Sequence, residues 1–221
     1  MLLASLAACG NNAQAESAGT ASPAEPETAQ TETVTEAAAE EATEAATEAT
    51  TGAALSETPA PAAHSDVLVA YFSATGTTKG VAEKIASVTG GDLYEILAAE
   101  PYTEEDLNYN DSSSRSTSEQ NDKNARPEIG SEDLSLEGYT TVYLGFPIWW
   151  GEEPRILDTF VEKYSFEGIT VIPFCTSGGS GIGRSSPNME ALAGSGTWLE
   201  GERFSGGVSE EELKTWIEGL Q

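Results

Sequence analysis

Histidine, cysteine and positive charge are all scarce in this 221-residue chain. It has one histidine, His64, two cysteines, Cys9 and Cys175, and ten Lys and Arg against 37 Asp and Glu. No CxxC, HExxH or acidic calcium-loop pattern occurs in it. The lone histidine leaves no histidine-based catalytic or metal site after residue 64. A formal charge of −27 argues against nucleic acid and against a basic membrane-binding face, and favours a basic protein as any macromolecular partner.

Large apolar residues are also missing from the first third. Residues 10–64 are almost wholly Ala, Thr, Glu, Ser, Pro, Gly and Gln, with ten of the acidic residues and no Lys or Arg. Glu32, Glu36, Glu40, Glu44 and Glu48 recur every four residues. In a helix that spacing stacks like charges, with no lysine to offset them. Too little apolar surface is present to offset the entropy of ordering, so residues 10–65 read as a disordered acidic Ala/Thr/Glu tether. Its length would let a domain sit roughly 40 Å from an anchor.

The stretch that organises the rest is Val67–Gly90, VLVAYFSATGTTKGVAEKIASVTG. An unbroken apolar run, Val67–Phe72, suits a strand covered on both faces. Val81, Ala82, Ile85 and Ala86 then mark one face of a helix, and Gly90 is placed to stop it. Between them lie four hydroxyls, Ser73, Thr75, Thr77 and Thr78, around Gly76. This is neither a nucleotide P-loop nor G-x-G-x-x-G. A helix start aims unpaired N–H groups at such a turn and makes it an anion site.

Strand and helix patterns keep alternating after it. Asp92–Leu97 reads as an edge strand. Ala98–Glu137 is long and poor in large apolar groups, with short helices expected near Thr103–Leu107 and Ser116–Lys123. Arg115 and Arg126 within it either close over a ligand or stand as solvated charges. Thr140–Phe146 is a third strand, ending in Pro147-Ile148-Trp149-Trp150-Gly151, and Pro154 then opens a helix with Glu152 and Glu153 at its positive end. Ile169–Phe174 is a fourth, ending in Cys175-Thr176-Ser177-Gly178-Gly179-Ser180-Gly181. Ser186-Pro187 begins the next helix, Thr197–Phe204 is a last strand, and Ser209–Glu212 is a capping box.

Five such alternations predict an α/β domain over residues 66–221, a doubly wound five-stranded parallel sheet. Ligands in such sheets lie beyond the carboxyl ends of the strands, at the topological switch point. The hydroxyl turn, the Trp-Trp loop and the Gly-rich loop all fall on that edge. One holds anions, one offers flat aromatic surface and one offers close-approach amides.

With its first strand, S-x-T-G-x-T turn and helix, P-I-W-W and T-S-G-G-S, the segment from Asp66 onward resembles the flavodoxins. The resemblance implies the strand order 2-1-3-4-5, the natural choice at this size, and FMN as cofactor. Its phosphate would lie on Ser73, Thr75, Gly76, Thr77 and Thr78. Its ring would stack on Trp149 or Trp150 beside Pro147 and Ile148, with the pyrimidine edge against Thr176, Ser177, Gly178 and Gly179. Cys175, with no cationic neighbour in sequence, reads as a small buried residue rather than a redox thiol.

Residues 1–9, MLLASLAAC, resemble a bacterial lipoprotein signal segment, with Leu6-Ala7-Ala8-Cys9 as lipobox and Cys9 as the lipidated residue. Lipidated Cys9 would leave Cys175 without a disulfide partner. These features predict an extracytoplasmic, lipid-anchored FMN protein that carries electrons between partners. Two other readings share the same residues. One is an FMN-dependent NAD(P)H:quinone-type reductase with the 98–137 insertion as a second pocket wall. The other is a tethered binding module without flavin.

Overall fold

A computed structural model describes residues 65–220. The tether and the Cys9 lipidation reading lie outside the described residues. In chain order the elements are β1 (Val67–Phe72), α1 (Thr77–Thr89), β2 (Asp92–Ile96), α2 (Arg115–Asn121), β3 (Thr141–Pro147), α3 (Arg155–Lys163), β4 (Thr170–Thr176), α4 (Ser185–Ala193), β5 (Thr197–Trp198), β6 (Glu202–Phe204) and α5 (Glu210–Glu218). Every strand pair is parallel, in the order β2-β1-β3-β4-β5, with β6 also pairing β4. No helix among the described residues is long and apolar enough to cross a membrane.

Period-two alternation divides the sheet between two cores. Val69, Tyr71, Tyr143, Ile172 and Phe174 face α1 and α5, meeting Val81, Ala82, Ile85, Leu213 and Ile217. Leu68, Ala70, Phe72, Val142, Leu144, Phe146 and Cys175 face the other way, toward Ile156, Leu157, Phe160 and Val161 of α3 and Met189 of α4. Burial on both faces accounts for the unbroken apolar strands. At one point the faces leave no room. A Cβ on Gly145 would lie 2.2 Å from the Phe174 ring.

Helix ends follow local chemistry. Gly90 caps α1 at φ +69, its N–H donating to Ala86 O, and Ser209 and Glu212 form the reciprocal capping box of α5. Three boundaries differ from expectation. Thr103–Leu107 makes a single turn, closed by the Leu107 N–H on Thr103 O at 3.2 Å, rather than a helix. The helix expected from Ser186-Pro187 begins at Ser185 with Arg184 as cap; proline needs no N–H partner anywhere in the first turn. The last strand position is held by two short strands. At Gly201 (φ +81) a Cβ would lie 2.4 Å from Pro173 O, so the chain bends closely over β4 and resumes pairing as β6.

Candidate functional site

The loops after β1, β3 and β4 meet at one edge of the sheet and are fastened to one another. Thr78 Oγ1 and Thr176 Oγ1 are 2.8 Å apart, buried, joining the first loop to the third. The Ile148 N–H donates to Thr176 O at 3.0 Å, joining the second to the third. Between them opens a cavity of about 520 Å³, the size at which cofactor sites begin to be useful.

Each loop contributes chemistry of its own. From the first, Ser73, Thr75, Thr77 and Thr78 line the cavity. Gly76 takes φ +85 at the start of α1 and is not itself a lining residue. That positive φ turns the chain sharply into the helix at a position where a side chain would be strained. No acidic residue occupies the first turn of α1 and no side chain caps it. Its leading N–H groups and positive dipole end are therefore available to an anion.

From the second loop, Pro147, Ile148 and Trp149 line the cavity. Trp149 is buried and held edge-on by Phe72 (centroids 5.5 Å) and Tyr102 (5.1 Å). Its backbone pairs with Glu152 in both directions, at 2.9 and 3.0 Å. Trp150 and Gly151 form the intervening two-residue turn at φ +49 and +84. Positive φ at both positions belongs to the mirror-image turns that close tight hairpins. The Trp150 ring is exposed and is not a lining residue, but it packs at 4.5 Å against Tyr109, which is one. The two adjacent indoles thus have different surroundings, one within the wall and one at the rim.

From the third loop, Thr176, Ser177 and Gly178 line the cavity and Gly179 lies just beyond it. The Gly179 N–H donates to Ser177 Oγ at 3.3 Å. Cys175, immediately before, is fully buried, and burial pushes its thiol up to about 12. It has a cationic neighbour that sequence adjacency hides, since Arg203 of β6 pairs with it in register. Burial outweighs that charge, so the thiol stays inert.

Residues distant in sequence complete the walls. Leu107 and Tyr109 come from the insertion, and Arg203, Ser205 and Gly206 from β6 and its end. Arg203 donates from Nε to Ser177 Oγ (3.2 Å) and from Nη2 to Ser177 O (2.9 Å). Its place depends on β6 returning to β4 after the bend at Gly201. The two arginines singled out in the sequence are occupied elsewhere. Arg115 pairs with Glu119 at 2.8 Å and lies over the Tyr102 ring, and Arg126 pairs with Glu162 at 2.7 Å.

Behind the second loop, α2 is tied to α3 by buried polar groups. Gln120 Nε2 donates to Trp149 O (2.9 Å) and Glu153 O (3.2 Å), while Arg155 Nη2 donates to Gln120 O (3.3 Å). Arg155 Nη1 also stands 3.3 Å from Asp158 and 3.8 Å from Glu153. Glu153 is fully buried. It therefore acts inside this cluster rather than as a solvated charge at a helix start.

The hydroxyl turn, the apolar wall and the donor-bearing loop thus meet at the switch point of a doubly wound α/β domain, the edge where such sheets take their ligands. The flavodoxin family model matches residues 66–220. The chain belongs to the flavodoxin family. It is 45% identical to a candidate flavoprotein from Bacteroides eggerthii, with a TM-score of 0.66, covering 70% of this chain and 96% of that one. A candidate flavoprotein from Bacteroides uniformis is 44% identical, with a TM-score of 0.67, covering 70% of this chain and 99% of that one. No curated protein matches the chain.

Proposed function

We propose that this protein is an FMN-binding redox protein that carries electrons between partners from a lipid anchor on Cys9, outside the cytoplasm. One observation carries the reading. Three loops of different chemistry are hydrogen-bonded into the walls of one cavity, at the edge where this fold takes its ligands. The residues suit FMN. An uncapped helix start without acidic residues, surrounded by hydroxyls, suits the phosphate. The rigid Ile148–Trp149 wall suits a flat ring, and nothing stands within 4 Å of the Cβ direction at Gly178 or Gly179, so a polar ring edge can approach the backbone.

FMN would supply one- and two-electron transfer here. The chain's own residues bind and orient it. Thr75, Thr77 and the first N–H groups of α1 would hold the phosphate. Trp149, kept from turning by its edge contacts with Phe72 and Tyr102, would form part of the wall against the ring. No histidine follows residue 64, and the buried Cys175 thiol holds its proton. Protein acid–base chemistry is therefore not the theme. An acidic surface favours a basic redox protein as the partner.

Two features support a second reading, an FMN-dependent NAD(P)H:quinone-type reductase. Leu107 and Tyr109 of the insertion reach the cavity wall, and the exposed Tyr109–Trp150 pair could flank a second flat substrate. Steady-state kinetics separates the two. The carrier, reduced chemically, passes electrons to a basic protein acceptor and leaves NAD(P)H unoxidised in the presence of quinone. Sustained NAD(P)H oxidation selects the reductase. Mass spectrometry of the membrane fraction tests the anchor, which requires a diacylglyceryl group on Cys9.

A further inference from the structure

Arg203 is the one basic side chain lining the cavity, in a chain whose acids outnumber its bases by 37 to ten. Three other arginines, Arg115, Arg126 and Arg155, are each neutralised by carboxylates. Arg203 is not. Its guanidinium donates to the Ser177 carbonyl and hydroxyl, and among the described residues no carboxylate forms an ion pair with it; the neighbouring Glu202 carboxylate accepts the Arg203 backbone N–H at 2.9 Å instead. Nε and one N–H of Nη2 are used, and Nη1 keeps its donors.

Its position selects one end of the cavity. The segment after β6 reaches the anion cradle at Gly206, where an added Cβ would meet the Thr77 methyl at 2.7 Å. Arg203, three residues earlier, reaches the loop after β4 instead. β6 and the segment after it thus touch the hydroxyl turn and the loop after β4 through different residues.

We infer that Arg203 sets the cavity's preference for the ring end of its ligand, fixing the Ser177 loop and offering a positive charge to the ring's polar edge, so that the balance between bound oxidised and bound reduced ring lies further toward the reduced form than the acidic surroundings alone would set it. The inference rests on the FMN reading. Two electrons and one proton taken from a chemical reductant such as dithionite leave the flavin ring with one negative charge. A half-buried cation beside it stabilises that charge. Without Arg203 the acidic surroundings would act alone and oppose reduction.

Arg203→Gln tests this, with FMN and riboflavin as probes in oxidised and dithionite-reduced form. The variant is expected to bind oxidised FMN about threefold and reduced FMN about thirtyfold more weakly. The bound two-electron equilibrium then moves about tenfold toward oxidised flavin, a potential about 30 mV more negative. Oxidised riboflavin, which lacks the phosphate, should lose affinity by the same factor as oxidised FMN. Arg203→Lys, which keeps the charge, should restore most of the potential. A merely structural role would weaken both redox states equally and leave the potential unmoved, which overturns the inference. So does a loss confined to FMN, which would put Arg203 on the phosphate. Should the glutamine variant fail to fold, Arg203→Met keeps the aliphatic stem and carries the same comparison. If the unaltered protein binds no FMN, the FMN reading itself falls; if it binds FMN and the variants share its potential, only the role of Arg203 falls.

Discussion

Asp158 ties the acid–base behaviour of the fold to the cluster behind the Trp149 wall. Its carboxyl is buried, and burial, reinforced by the nearby Glu153, raises it from the ordinary 3.8 to about 6. Arg155 at 3.3 Å and Arg126 at 3.7 Å pull the other way without prevailing. Arg184 and Asn188 of α4 close the same polar cleft. The folded chain therefore holds this proton more tightly than the unfolded chain. The stabilisation is fully present below pH 3.8, shrinks as pH rises and is gone above about 6. A shift of about two units corresponds to about 3 kcal/mol. Asp158→Asn fixes the neutral form. Urea unfolding of both proteins from pH 4 to 7.5 should show the variant gaining on the wild type by about 2.5 kcal/mol over that range, with the gain complete near pH 7. Exposed carboxylates held low by their partners, such as Glu162 beside Arg126, lose stability in acid in both proteins and cancel in the difference. A difference that stays constant with pH would refute the argument.

Two further substitutions probe packing and the loop joints. Gly145→Ala drives a methyl into the Phe174 ring, 2.2 Å away, and should cost about 1–3 kcal/mol in thermal unfolding; an unchanged midpoint would show that the two faces of β3 and β4 have slack. Thr78→Val removes the buried hydroxyl pair with Thr176, and should cost about 1 kcal/mol of stability together with about tenfold in FMN affinity. Fluorescence titration and urea unfolding on the same preparation separate the two effects.

What could be read from the chain was whatever depends on near neighbours. The apolar run of β1, the hydroxyl turn, the 3.6-residue stripe of α1 and the Ser209 capping box each rest on contacts within a few residues. Alternation implied a parallel doubly wound sheet, whose strand ends put the three loops on one edge; the order 2-1-3-4-5 came with the flavodoxin resemblance. Features that depend on long-range return of the chain were not legible. Arg203 reaches the cavity only because Gly201 lets the chain bend over Pro173 and pair again as β6. Tyr109 arrives through an insertion with little apolar pattern of its own. Glu153, placed in sequence to complement a helix dipole, is instead drawn inward by Arg155 and Gln120. The Trp149-Trp150 pair carries no sequence sign of which ring turns inward. The tight turn at Trp150-Gly151 decides it.

The account's central claim is that three loops at the carboxyl edge of the sheet build one FMN site. Titrating apoprotein into FMN and following flavin fluorescence tests it most directly. Quenching that saturates at a single FMN per chain, and weakens in Thr78→Val, is the predicted result. Fluorescence that stays at its free value throughout the titration, with folded and colourless protein, would contradict it.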